Sequence, residues 1–164
     1  MPVKSEILKE YGSIKTQRNA EVKFYIDRFR NNLYANIREF IDSKNYKGPT
    51  RKGVKLNFNE LTEIFEKTKD LSLTDPEIKD KEILRLNKNS QKDIVIKAAD
   101  YKGKVGLDIR EWLKTPEYQG WTKNGVRFET VNFDKFKELV SAMYGEFKTF
   151  ETAPAAPKAQ VNEE

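Results

Sequence analysis

Residues 102–112 read KGKVGLDIREW. In an extended chain Val105, Leu107 and Ile109 fall on one face, and Lys104, Asp108, Arg110 and Trp112 on the other. Alternation with a period of two marks a strand that lays one face on a core. Burial explains the apolar face. It does not explain why the opposite face carries two cations and ends in an indole.

The stretch has an earlier copy. VGLDIREWLKTPEYQGWTKNGVRF (105–128) lies without a gap over LYANIREFIDSKNYKGPTRKGVKL (33–56), 72 residues upstream. Ile37, Arg38 and Glu39 match Ile109, Arg110 and Glu111, and Tyr46 and Gly48 match Tyr118 and Gly120. Thr50, Gly53 and Val54 match Thr122, Gly125 and Val126. Other positions keep their chemistry: Phe29 with Tyr101, Arg30 with Lys102, Phe40 with Trp112, Arg51 with Lys123, and Lys55 with Arg127. Downstream, NFNELTEIF (57–65) meets NFDKFKELV (132–140) only at an offset of 75. The second copy therefore holds about three extra residues near Glu129–Val131, which belong in a turn because a strand would lose register.

Each copy reads as two alternating strands (21–29 and 33–41; 93–101 and 105–113) joined by a turn at 30–32 or 102–104, where Gly103 suits a positive φ. A loop with room for a short strand follows, DSKNYKGP or KTPEYQGW, and then a final strand from RKGVKLN or KNGVRFE. A helix closes the unit, with Asn57 and Asn132 as N-caps ahead of apolar residues at helical spacing. The expected class is α+β: two ββββα repeats, each a curved antiparallel sheet with a helix on one face and the other face open. The first repeat spans 1–72 and the second 93–150. Residues 73–92 connect them, with a short helix opening at Thr74–Pro76, and EILRL (82–86) echoes EILKE (6–10), so each copy can own a short N-terminal segment. Residues 151–164, with Ala, Pro and charge but no aromatic ring, are expected to be disordered.

Composition narrows the chemistry. The 164 residues are 37% hydrophobic and 35% charged, and 10 Phe, 7 Tyr and 2 Trp supply the mass for a core. Lys and Arg number 31 against 26 Asp and Glu, a formal +5 that suits a polyanionic partner without demanding one. Cys and His are absent, which removes disulfides, a thiol nucleophile, an imidazole base and any Cys/His zinc site. No apolar run is long enough for a membrane span, and the N-terminus lacks the apolar core of a secretion signal. The expected location is the cytoplasm or nucleoid, or a host cell's interior for a viral protein. No cofactor or metal is implied.

On the open face the second copy offers Tyr101, Lys102, Lys104, Arg110 and Trp112, and the first Phe29, Arg30, Arg38 and Phe40. An edge adds Arg51, Lys52 and Lys55, answered by Lys123 and Arg127. Trp121 stands where the first copy has Pro49. Cations interleaved with rings suit single-stranded nucleic acid: the cations neutralise phosphates, and unpaired bases stack on the rings. Ordinary explanations stay open beside this one. Trp112 and Phe40 can pack under a neighbouring element. Arg38 and Arg110 can pair with Glu39, Glu111 or Asp108, Tyr46 and Tyr118 can anchor loops, and edge lysines can block aggregation.

The stretch DYKGKVGLDIREW…TKNGVRF resembles the positive-cofactor-four group of single-stranded-DNA-binding transcriptional coactivators, together with the related Pur and Whirly types. The second copy carries the pattern from Asp93 to about Tyr144. The first, from Glu21 to about Leu71, is more diverged, with Arg30-Asn31-Asn32 for Lys-Gly-Lys and Asn36 for Asp. The resemblance implies two ββββα units whose sheets form a channel for single-stranded DNA, here joined in one chain as an intramolecular pseudo-dimer. It places the turn aromatics at Tyr101 and Phe29, the turn cations at Lys102, Lys104 and Arg30, and the strand arginines at Arg110 and Arg38. The basic pair falls on Arg51-Lys52 and Lys123-Asn124, and the strand-end ring on Trp112 and Phe40. The serine-rich regulatory arm of eukaryotic members is absent.

The expected function is non-enzymatic binding of single-stranded DNA in replication, repair or transcription. An RNA-binding regulator and a protein-interaction module are the alternatives. A further pairing of two chains is left open, as is recruitment of other proteins by the acidic NEE end. Catalysis has little footing, since the best carboxylates, Asp108 and Glu111, point to opposite faces of their strand.

Overall fold

Val22, Phe24 and Ile26 alternate with Lys23, Tyr25 and Asp27, and this alternation makes 20–29 a strand with one face on the core. The structure, a computed structural model, describes residues 5–152. It holds β1 (Glu6–Gln17), β2 (Ala20–Phe29), β3 (Asn32–Asp42), β4 (Lys47–Leu56) and helix α1 (Phe58–Thr68). A 3-10 turn (Pro76–Ile78) leads to β5 (Glu82–Asn89), β6 (Lys92–Tyr101), β7 (Lys104–Lys114) and β8 (Gln119–Glu129). A second 3-10 turn (Thr130–Asn132) runs into α2 (Phe133–Thr152). The sheets are antiparallel meanders in the order β1-β2-β3-β4 and β5-β6-β7-β8, so the class is α+β with ββββα twice.

The strand count is reached differently from the sequence expectation. The loop that had room for a short strand is a turn (Ser43–Tyr46 and Thr115–Tyr118), and its last residues already belong to β4 and β8. The missing strand comes first in each repeat. β5 lies within the expected 73–92 connection and pairs with β6. Pairing also corrects the EILKE/EILRL echo: Glu10 faces Tyr25, and Glu82 faces Lys97, the residue 72 positions after Tyr25. Ile14 on Val22 and Leu86 on Ile94 keep the same offset. The duplication therefore extends through the first strand at a constant 72, although β1 and β5 no longer resemble each other at that offset.

The hairpin turns match their sequence. Arg30 and Asn31 have φ of 53° and 68°, and Lys102 and Gly103 have 53° and 82°. Two consecutive positive φ values define the tight turn whose twist suits a hairpin. The extra residues of the second copy form the 3-10 turn before α2, where Asn132, the expected cap, is the last residue. Asn57 caps α1 as expected: its side chain accepts from the Glu60 amide at 2.8 Å, and Glu60 accepts from the Asn57 amide at 2.9 Å. Helix α2 extends to Thr152, so it overruns the expected tail boundary; residues 153–164 lie outside the described part.

The helices do not each close their own sheet. Leu139 of α2 sits over Gly12 of β1, and Glu146 accepts from the Tyr11 hydroxyl at 2.6 Å and from Lys9 at 3.1 Å. Helix α1 reaches the second sheet through Lys88 of β5, which pairs with Glu60 at 2.9 Å and donates to the Lys55 carbonyl at 2.8 Å. Tyr144 stacks on Phe65 at 4.4 Å and on Phe58 at 5.6 Å, which locks the helices together. Phe24 of β2, Phe128 of β8 and Phe136 of α2 meet with centroids 5.1–5.8 Å apart. Both sheets thus direct their apolar faces into one core, and each helix covers parts of both.

Phe136 is wholly buried where the two halves join. Phe136→Ala is expected to cost about 3–5 kcal/mol and to lower one cooperative transition, measured by urea unfolding. Two separate transitions, with only one affected, would contradict the shared core.

Candidate nucleic-acid interface

The face opposite the core is built on a repeated clasp. In the second sheet a bulge between β7 and β8 falls beside Arg110, and in the first the β3–β4 bulge falls beside Arg38. Arg38 donates to the Thr50 carbonyl at 3.1 Å, and Arg110 to the Thr122 carbonyl at 3.2 Å. The threonine hydroxyls hold the bulge: Thr50 accepts from the Lys52 amide and donates to Glu39, and Thr122 accepts from the Asn124 amide and donates to the Glu111 carbonyl. Glycine is required one step on. A Cβ at Gly53 or Gly125 would lie 2.5 Å from the Ile37 or Ile109 carbonyl oxygen. The Tyr46 and Tyr118 hydroxyls donate to the Pro49 and Trp121 carbonyls at 2.6 and 2.7 Å, so both rings are loop anchors. Most identities between the copies therefore serve one purpose, which is to aim an arginine onto the open face.

In the second half this clasp borders a basin of about 420 Å³. It is lined by the small residues Ala99 and Gly125 together with Lys97, Asp108, Arg110, Trp121 and Lys123. Lys52 reaches it from the first half. Asp108 binds Arg110 at 3.0 and 3.3 Å. A second basin of about 520 Å³, at the far end of the first sheet, gathers Lys15, Arg18, Lys23 and Lys47 around Phe40, with Glu21 and Asp42 also lining it.

The rings expected to face outward lie on the open side, but most already have partners. Trp112 is half-buried: Trp121 meets it edge-on at 4.8 Å, and Arg85 lies over it at 5.1 Å. Phe40 packs edge-on against Tyr25 at 5.9 Å beneath Lys23 at 4.5 Å. At the hairpin tips the two halves agree closely, with Arg30 over Phe29 and Lys102 over Tyr101, both at 5.3 Å. Of the rings expected to face outward, Tyr101 and Trp121 are exposed, at 62% and 38%.

The cations divide similarly. Lys55 pairs with buried Asp27 at 3.1 Å, and Arg110 with Asp108. Arg127 donates to the Ala99 and Lys104 carbonyls at 3.0 and 2.8 Å, which ties the second hairpin down. Arg30, Arg51, Lys52, Lys102, Lys104 and Lys123 are exposed and, like half-buried Arg38, have no carboxylate ion pair among the described residues. Arg38 makes no ion pair with Glu39 among the described residues: its guanidinium donates to the Thr50 carbonyl, and Glu39 accepts from the Thr50 hydroxyl. Glu111 takes Lys92 and Asn124 instead of Arg110.

Sequence reasoning missed Lys97, Lys23 and Arg85, which reach the open face from β6, β2 and β5. The EILKE/EILRL echo set Arg85 against Lys9 at an offset the pairing refutes, and gave no sign that Arg85 reaches the open face. Its guanidinium bonds Asp93 at 2.9 Å, and Lys114 joins the same carboxylate at 2.8 Å. Burial pulls the Asp93 carboxyl upward, but hydrogen bonds from Lys114, Arg85 and Asn87 outweigh it and hold the group below the usual carboxylate range.

No protein-family model matches the chain, and no curated protein matches it at a significant level. No helix among the described residues is long and apolar enough to cross a membrane.

A carboxyl held below its unfolded pKa adds stability that is present above that pKa and is lost as the pH falls through the folded one. Asp93→Asn is therefore expected to be less stable at neutral pH, with a shallower acid loss below about pH 5. Thermal melts across pH check this. Parallel curves for the variant and the parent would contradict it.

Proposed function

We propose that this protein binds single-stranded DNA without catalysis, across the open faces of its sheets, as a two-repeat relative of the positive-cofactor-four group. In this reading the repeats stand in for the two subunits of a dimer. Supporting this are the common core, the same arginine clasp in each half, and the cation-over-ring tips at Phe29–Arg30 and Tyr101–Lys102.

The observation that carries the proposal is the set of open-face cations without carboxylate partners around the exposed ring of Trp121. Such cations replace condensed counterions on a phosphate chain, and exposed rings reward bases free to stack. Duplex hides those base faces.

A labelled oligothymidylate is expected to bind with an affinity that falls with salt by a log–log slope of about 0.7 per phosphate neutralised. Duplex of equal length should bind more weakly. Arg38→Gln with Arg110→Gln should weaken binding several-fold while the fold, followed by circular dichroism, persists. Equal affinity for duplex, or no change in the double variant, would overturn the proposal.

A further inference from the structure

The duplication built the same position twice, yet the side chains at the basin beside the arginine clasp of the second half differ from their counterparts in the first. We infer that this basin takes one unstacked base, against Trp121, and that the first half has lost the equivalent pocket. This inference rests on the single-strand-binding reading.

Comparison at the 72-residue offset shows how the first pocket closed. Tyr25 stands where the second half has Lys97, and it is buried beneath Phe40 and Arg38. Asp27 stands where the second half has Ala99; it is 1% exposed, takes Lys55 at 3.1 Å and accepts from Asn36 at 2.8 Å. Pro49 replaces Trp121, so the stacking surface is missing too. Buried Asp27, held by the partly exposed Lys55, and buried Tyr25 fill these positions, and removing Lys55 would strand a buried charge.

In the second half the same positions are shaped for a flat ring. Ala99 and Gly125, with little or no side chain, line the basin and leave room in it. Trp121 forms a wall, and Lys97 sits 5.8 Å from its centroid, near the outer limit of a cation–π contact and so readily moved aside. Arg110, Lys123 and Lys52 surround the basin, placed for phosphates on either side of an inserted base. Its volume of about 420 Å³ lies within the range of ordinary small-ligand pockets. Lys52 comes from the first half, which thereby completes the site it no longer duplicates.

The test compares a strand of abasic nucleotides with the same strand carrying a single central thymine, by fluorescence anisotropy on the full chain. The parent is expected to prefer the thymine-bearing strand by roughly 5- to 100-fold. Trp121→Ala and Ala99→Leu are each expected to reduce that ratio to near one. Ala99 is only half-buried, so the larger side chain fills the basin rather than the core. A ratio near one in the parent, with the strands still bound, overturns the single-base pocket but leaves strand binding standing. A ratio that survives in both variants also overturns it. Failure of the parent to bind either strand or oligothymidylate removes the wider reading as well.

Discussion

A four-stranded sheet has two faces, and a chain of this size can bury only one face of each of its two sheets. That constraint organises the molecule. The apolar faces meet in a single core around Phe24, Phe128 and Phe136, with the two helices locked by the Tyr144 stack and shared between the sheets. The opposite faces are left to water, so their side chains must either satisfy one another or meet a ligand. Asp27 with Lys55 and Asp93 with Arg85 and Lys114 take the first course. The unpaired lysines and arginines around Trp121 and at the hairpin tips are available for the second.

The duplication separates scaffold from use. What both copies retain by identity is a device for bending β4 and β8: a threonine that holds the bulge, a glycine that permits close approach, and a tyrosine that braces the turn. Its product is a guanidinium fixed on the open face in a known direction, so little side-chain entropy remains to be lost on contact with phosphate. Residues around the clasp were freer to diverge. Asp108 neutralises Arg110, whereas Asn36 turned to Asp27 and left Arg38 without a carboxylate. One chain can thus carry two unequal faces, which a symmetric pair of identical subunits cannot.

The repeat was legible because ungapped identities in β3, β4, β7 and β8 cluster at the arginine clasp, where a glycine must lie against the neighbouring backbone and Arg, Thr and Tyr side chains hold the bulge. The turn insertion was legible because an offset change from 72 to 75 cannot occur inside a paired strand. β1 and β5 were not, since they share almost no residues at the 72-residue offset, and the short EILKE echo suggested an offset that backbone pairing refutes. The site was read to the level of strand face but not of neighbours. Alternation placed Trp112 and Phe40 outward correctly; it could not reveal that Arg85 and Lys23 arrive over them from adjacent strands, because cross-strand partners depend on register.

The most direct test of the open-face account is a nuclear magnetic resonance titration with oligothymidylate that follows the two indole N–H groups and the arginine Nε–H groups. The account predicts that Trp121, Arg110 and Arg38 shift together and saturate with the strand, while amides of α1 and α2 stay in place. Shifts confined to the helices, with both indoles unmoved at saturation, would contradict it.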